Sequence, residues 1–145
     1  MTVQEKNIQI VKDMFSAYNR GDIKTITEHL AGDKLDWKCP MTNDFTGMDF
    51  AKPRHTRQEV ESFFREFLGV IEPIEAKTLH VTAQDDRVIV ELTERARIKA
   101  TGKEYSTPGV MVIELKKEKV TMVHYYLDAS VIRRALLETK LSKAA

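Results

Sequence analysis

After Pro73 the apolar residues of the chain recur at every second position, and this spacing restricts the second half of the sequence to β-strands. Four segments show the alternation, and only a few residues separate each from the next. Strands with such short links pair as antiparallel hairpins. The segments read IEAKTLHVTA, RVIVELTERARIKA, EYSTPGVMVIEL and KVTMVHYYL, with QDD, TGK and KKE between them. The sequence therefore predicts a four-stranded antiparallel meander.

The first half of the chain has the 3.6-residue period of α-helices instead. An apolar stripe from Ile8 to Tyr18 predicts a first helix, and Asp22 can cap a second, shorter one. KLDWKCP reads as a short strand. A third helix follows, since Thr56 and Glu59 form a capping box in which both side chains satisfy free N–H groups.

Helices that precede a run of strands predict the α+β class. We expect a single domain over residues 1–145, in which the helices pack on one face of a curved, mostly antiparallel sheet. A last helix is expected to begin at Asp128. Residues 41–55 lack periodicity, and a loop of that length is commonly a functional lid or a disordered segment.

The balance of charges excludes several kinds of partner. With 23 basic and 22 acidic residues the net charge is +1, so we expect neither nucleic acid nor a membrane surface as a partner. Cys39 is the only cysteine, which excludes an internal disulfide. The four histidines are scattered, so no metal site is predicted. Lys6 and Lys12 interrupt the apolar N-terminal stretch, so we expect a cytoplasmic protein.

Two faces can be distinguished along the second predicted strand. Arg95 and Arg97 share one of them, and antiparallel sheets usually expose their polar face to water. The two arginines are therefore either solvated or line a cavity that needs charge. The last strand presents the same choice, because His124, Tyr126 and Asp128 alternate onto one face.

Asp128 has two possible roles. It can cap the last helix, or it can be the acid or base of an active site. If Arg95 and Asp128 meet in a dry pocket, the cation lowers the pKa of the carboxyl and orients it. His124 either shares the proton transfer or is a hydrogen-bonded strand histidine. Cys39 lacks a recognisable activating base, so we expect a buried thiol.

Three stretches carry a resemblance to a known superfamily: FSAYNRGDIKTITEHLAGDKLDWKCP, FTG, and TGKEYSTPGVMVIELKKEKVTMVHYYLDASVIRRAL. With them, nearly the whole chain resembles the nuclear-transport-factor-2-like, or cystatin-like, α+β cone superfamily. The most similar branches are the SnoaL-like polyketide cyclases and the limonene-epoxide hydrolases. LTERARI and YYLDASVIRRAL look especially like the hydrolases. The resemblance implies a cone-shaped pocket between sheet and helices, and a homodimer through the outer sheet face.

The resemblance to the epoxide hydrolases is partial at the level of single residues. Their arginine falls on Arg95, and their water-activating aspartate on Asp128. Their second aspartate falls on Arg97, and the tyrosine and asparagine that hold the water fall near Trp37 and Cys39. A standard epoxide hydrolysis is therefore not expected.

Two other branches of the superfamily match this chain to different extents. The tyrosine and two aspartates of the ketosteroid isomerases fall near Met14, Cys39 and Met111, so that assignment is rejected. The SnoaL-like cyclases use a carboxylate at the end of the last strand, and Asp128 matches it.

These observations favour a cofactor-free enzyme acting on a lipophilic small molecule of polyketide or terpenoid type. The reaction would be cyclisation, isomerisation or ring-opening hydrolysis, with Asp128 moving the proton and Arg95 stabilising developing negative charge. A non-catalytic small-molecule-binding domain and a dimeric adaptor are the alternatives. The residues expected to contact the substrate are Arg97, Trp37, Cys39, His124, Tyr126, Met111, Phe64 and Leu68.

Overall fold

The computed structural model describes the backbone of residues 1–144 and the side chains of residues 1–138. Within that range the chain forms four α-helices and five β-strands. In chain order they are α1 (Val3–Asn19), α2 (Ile23–Glu28), β1 (Asp36–Lys38), α3 (Arg57–Val70), β2 (Ile71–Gln84), β3 (Arg87–Ile98), β4 (Glu104–Lys116), β5 (Lys119–Leu127) and α4 (Ala129–Ala144).

The five strands form one curved, unclosed sheet in the order β1-β5-β4-β3-β2. Strands β2 to β5 pair as an antiparallel meander, which confirms the prediction from the alternating segments. The short strand β1 pairs in parallel with β5, with Trp37 opposite Val123. The α+β class is therefore confirmed.

The hairpin between β4 and β5 turns at two residues with positive φ. Lys117 has φ 49° and Glu118 has φ 64°. This is the conformation of a two-residue type I′ turn, whose twist matches that of the flanking strands. The turn places Lys116 opposite Lys119, and an irregularity between Glu114 and Leu115 then shifts the register by one residue, so that Glu114 lies opposite Met122.

The predicted helix starts are present in the structure. The Asp22 side chain accepts a hydrogen bond from the backbone N–H of Thr25 at 3.1 Å, and Thr56 accepts one from that of Glu59 at 3.1 Å. The Glu59 carboxylate in turn accepts from the N–H of His55 at 2.8 Å. The first two bonds satisfy free N–H groups in the first turns of α2 and α3, and the third fixes the chain just before the N-cap of α3.

The aperiodic segment from residue 41 to 55 is held by a buried arginine. Arg54 is 3% exposed, and its guanidinium donates to the carbonyl oxygens of Phe50, Lys52 and Glu59. It also pairs with the carboxylate of Glu66 on α3. Arg54 therefore ties the segment to α3, and Met48, Phe50 and Ala51 of the segment pack in the core.

The hydrophobic core lies between the inner sheet face and the helices. α1 packs against β2 and β3, α3 against β2, and α4 against β3 and β4. No helix within residues 1–144 combines the length and apolar character needed to cross a membrane. Five aromatic rings pack edge to face or stack beside β1, namely Trp37, Phe50, Phe63, Phe64 and Phe67.

Candidate active site

The alternation of β3 determines which side chains enter the core. The even-numbered residues from Val88 to Ile98 are all buried, and Glu94 is among them with 6% exposure. The odd-numbered residues, which include Arg95 and Arg97, project from the opposite, outer face. A carboxylate on the buried face of a strand is uncommon, because burial of a charge is costly.

Glu94 lines a cavity of about 100 Å³ between the sheet and the helices. The wall is predominantly apolar and rich in aromatic rings. The aromatic side chains without a hydroxyl group are Phe15, Trp37, Phe50, Phe63, Phe64 and Phe67. Side chains able to exchange a proton are few in this lining: Glu94, Tyr18, Tyr125 and Cys39.

The Glu94 carboxyl has one hydrogen-bond partner among the described residues, the Tyr125 hydroxyl, which donates to Oε2 at 3.0 Å. No cation within the described part of the chain forms a salt bridge with it. Burial raises the pKa of Glu94 to about 7, and the bond from Tyr125 lowers it in part. Near neutral pH this carboxyl therefore exists in both its charged and its neutral form, as a proton-transfer group requires.

The neighbouring phenols and thiol remain protonated. Burial raises the pKa of Tyr18, and the negative charge of Glu94 raises it further. The same two causes raise the pKa values of Tyr105 and Cys39. These groups can donate hydrogen bonds but cannot act as bases near neutral pH. Glu94 is therefore the candidate base among the described residues that line the cavity.

Gly109 on β4 makes room for the ring that contacts Glu94. A Cβ atom at this position would lie 2.5 Å from Cε1 of Tyr125 and 3.0 Å from its hydroxyl oxygen. Carbon atoms do not approach so closely without displacement. A glycine at position 109 therefore allows the Tyr125 hydroxyl to reach the carboxyl of Glu94.

Four of the side chains predicted to contact a substrate line this cavity: Trp37, Cys39, Phe64 and Met111. Met14, which the comparison with ketosteroid isomerases singled out, lines it as well. The Cys39 thiol has its pKa raised by burial, which agrees with an unreactive buried thiol.

Leu68, also predicted as a substrate contact, lies elsewhere. It lines a separate surface groove of about 700 Å³ between α2 and α3. Phe64 is the one described residue that lines both the cavity and this groove.

The two arginines of β3 lie on the outer face of the sheet. Arg95 pairs with Glu104 at 3.7 Å, and its side chain is 52% exposed. Arg97 pairs with Glu72 at 3.3 Å and also approaches Glu104. They are solvated partners of surface carboxylates, and neither lines the cavity.

Asp128 is exposed at the start of α4. Its Oδ1 accepts a hydrogen bond from the backbone N–H of Ser130 at 3.1 Å, as an N-cap does. The hydroxyl and N–H of Ser130 lower the pKa of this carboxyl, so it is a weak base. The expected dry contact between Arg95 and Asp128 is not formed, because β3 projects Arg95 away from the core and Asp128 lies beyond the end of β5.

The remaining predicted contacts are also on the outer side. His124 Nε2 lies 2.7 Å from the Asp36 carboxylate across the β1–β5 pair. Tyr126 is 48% exposed. Neither lines the cavity, whereas their strand neighbours Val123, Tyr125 and Leu127 do.

Glu94 was the functional candidate that reasoning from the sequence missed. Its signal is present in the printed chain, as the single charged residue in the run Val88, Val90, Leu92, Glu94, Ala96, Ile98. Among the described residues, no group of three or more His, Cys, Asp or Glu side chains could hold a metal ion.

Comparisons with known proteins agree with this fold. A family described as SnoaL-like domain matches residues 11–123. No curated protein matches the chain. An NTF2-like protein of unknown function from Burkholderia pseudomallei has a similar structure, with a TM-score of 0.83, 20% identity, and coverage of 94% of this chain and 98% of that one.

Two further solved structures are similar over nearly their whole length. A proposed polyketide cyclase from Xanthomonas campestris has a TM-score of 0.80 and 19% identity, covering 93% of this chain and 99% of that one. An LEH-like epoxide hydrolase of M. tuberculosis has a TM-score of 0.71 and 19% identity, covering 99% and 98%. At these identities the likeness establishes the fold alone.

Proposed function

Since the chain belongs to the SnoaL-like domain family, we propose that it is an enzyme that moves a proton on a lipophilic small molecule held in the cavity. The observation that carries the proposal is the Glu94 carboxyl, buried in a predominantly apolar wall with a pKa near 7. An apolar pocket with a few convergent polar groups and a perturbed pKa is the usual form of a small-molecule site.

The reaction that best fits this arrangement is an isomerisation or cyclisation. A single carboxylate can take a proton from a carbon beside a carbonyl group and return it to another carbon of the same molecule. Hydrolytic ring opening needs both an acid for the leaving oxygen and a base for the water. Among the described residues that line the cavity, Glu94 is the only carboxyl. Proton transfer of this kind needs no cofactor.

Tyr18 is the proposed donor to the substrate oxygen. It lines the cavity, and its raised pKa keeps the hydroxyl protonated. None of the hydrogen bonds among the described residues uses this hydroxyl. A hydrogen bond from it to an enolate oxygen would stabilise the charge that develops when Glu94 removes the proton.

The test compares two carboxylates as proton carriers. The probe is cyclohexanone in D₂O, and the measurement is the rate of deuterium incorporation beside its carbonyl group by NMR. We expect the native chain to accelerate exchange, and Glu94→Gln to lose roughly 10² to 10⁴-fold of that rate. Asp128→Asn is the matched control, because it removes an exposed carboxylate outside the cavity, and it should retain the rate.

Two results would contradict the proposal. If Asp128→Asn loses the exchange and Glu94→Gln keeps it in full, Asp128 and not Glu94 is the proton-transfer group. Binding of cyclohexanone without accelerated exchange in the native chain would favour a non-catalytic small-molecule-binding domain.

A further inference from the structure

The cavity beside Glu94 is separated from the surface groove by one aromatic ring. Phe64 lines both spaces. On the same helix Phe63 and Phe67 line only the cavity, whereas Arg65 and Leu68 line only the groove. The wall between the cavity and the groove is therefore a single side chain thick where Phe64 lies.

The second helix shows the same division. Ile26 faces the cavity, and its neighbour Thr27 faces the groove. The Phe64 ring lies edge-on to Phe63, with centroids 5.0 Å apart, and to Trp37, with centroids 5.8 Å apart. It is 6% exposed and so closes the cavity on this side.

The two spaces differ in chemistry. The cavity wall is predominantly apolar, whereas Lys24, Glu61 and Arg65 contribute charged groups to the groove beside the apolar Ile23 and Leu68. A molecule that extended from one into the other would have its carbonyl group and lipophilic body near Glu94 and a second polar end at the protein surface.

From this arrangement, and resting on the proposed function of the cavity, we propose that Phe64 is a specificity-determining residue that limits the length of the ligand. The groove between α2 and α3 is then a second subsite, which a longer lipophilic chain with a polar end reaches when the ring is absent or rotated.

The test uses uncharged alkan-2-ones from butan-2-one to nonan-2-one as probes. Trp37 is the only tryptophan of the chain and lines the cavity, so quenching of its fluorescence reports binding. In the native chain we expect affinity to rise by roughly fourfold per methylene group and then to stop rising once the cavity is full. In Phe64→Ala the rise should continue, so that nonan-2-one binds at least about tenfold tighter than to the native chain.

Two matched variants distinguish a connected subsite from added volume. Phe67→Ala removes the same ring from the cavity wall without facing the groove, and it should not favour the longest ketones. Adding Leu68→Phe to Phe64→Ala narrows the groove without adding a second tryptophan and should abolish the gain. Phe64→Leu is included because it removes less of the core, and urea unfolding confirms that each variant is folded.

The outcomes separate this proposal from the one on which it rests. Ligand length is not set by Phe64 if the native affinity keeps rising up to nonan-2-one. The same follows if Phe64→Ala gives no gain, or if Leu68→Phe leaves that gain intact. If no ketone binds to the native chain or to any variant, the proposed function of the cavity fails as well.

Discussion

The Glu94 carboxyl is buried without a cationic partner among the described residues, and this makes the stability of the protein depend on pH. Its pKa is raised from an ordinary 4.5 to about 7 in the folded chain. The folded state therefore binds the proton more tightly than the unfolded state. The stabilisation is complete below pH 4.5 and is lost as the pH rises to about 7.

A first prediction follows from that linkage. The free energy of unfolding of the native chain, relative to Glu94→Gln, should fall by about 3 kcal/mol between pH 4.5 and pH 7.5 and then level off. Urea unfolding of both proteins at several pH values measures the difference. A difference that is constant over this range would show that Glu94 is not buried as the structure has it.

A second prediction concerns the phenol that contacts Glu94. The hydrogen bond from Tyr125 lowers the pKa of Glu94, so Tyr125→Phe should move the midpoint of its titration upward from about 7. Tyr105→Phe is the matched control, because the buried Tyr105 hydroxyl has no hydrogen-bond partner among the described residues. Each variant is compared with the double variant that also carries Glu94→Gln, and the pH profile of the stability difference gives the midpoint. Equal midpoints in the two variants would mean that the bond from Tyr125 has no effect.

The sequence predicted where side chains alternate but not which face would be buried deeply enough to shift a pKa. The period of two placed Glu94 and Arg95 on opposite faces. Whether the charged outer face is covered depends on tertiary or quaternary packing, which a single strand does not encode. The family resemblance predicted functional roles for Arg95, Arg97 and Asp128. It predicted none for Glu94, the carboxyl that the sheet and the helices enclose.

At the scale of elements, the segment of residues 41–55 is anchored by Arg54. The predictable features of this fold were local ones, such as the caps at Asp22 and Thr56 and the hairpins. The anchoring of this aperiodic segment was not predictable, because it depends on tertiary contacts of one side chain. Arg54 donates to the carbonyl oxygens of Phe50 and Glu59 and pairs with Glu66 on α3.

A third prediction tests this anchor. Arg54→Met should lower the free energy of unfolding by about 3 kcal/mol, because it leaves buried carbonyl oxygens without a donor. Glu66→Gln is the control, since it removes the half-exposed partner but keeps the bonds to the carbonyls, and its effect should be much smaller. Chemical denaturation measures both. If both variants lose the same free energy of unfolding, Arg54 stabilises the protein through its ion pair with Glu66 and not through the carbonyl groups.

At the scale of the whole molecule, the outer sheet face has an apolar centre. Ile89, Val110 and Val112 are half-buried there, and Tyr126 is exposed opposite Val110. Arg95 and Arg97 lie toward the end of the same face near Glu104. An apolar centre with a charged periphery is the usual anatomy of a protein interface.

The fourth prediction is the homodimer that the family resemblance implies. We expect the native chain to sediment as a dimer and Val112→Arg to sediment as a monomer, because the charge would be buried at the centre of the contact. Gln9→Arg, on an exposed face of α1, is the control and should leave the dimer intact. Sedimentation velocity distinguishes the species. A native monomer would exclude this assembly.

The parallel pairing of β1 with β5 has a consequence for the order in which the protein can fold. Trp37 lies in β1 and Cys39 directly after it. Strand β1 pairs only with β5, the last strand of the chain, where Trp37 lies opposite Val123. During synthesis α1, α2, α3 and the β2–β3 hairpin emerge first and have no closed core to join. The cavity can then form only after β5 has left the ribosome, and such late long-range closure is slow and exposes apolar surface meanwhile.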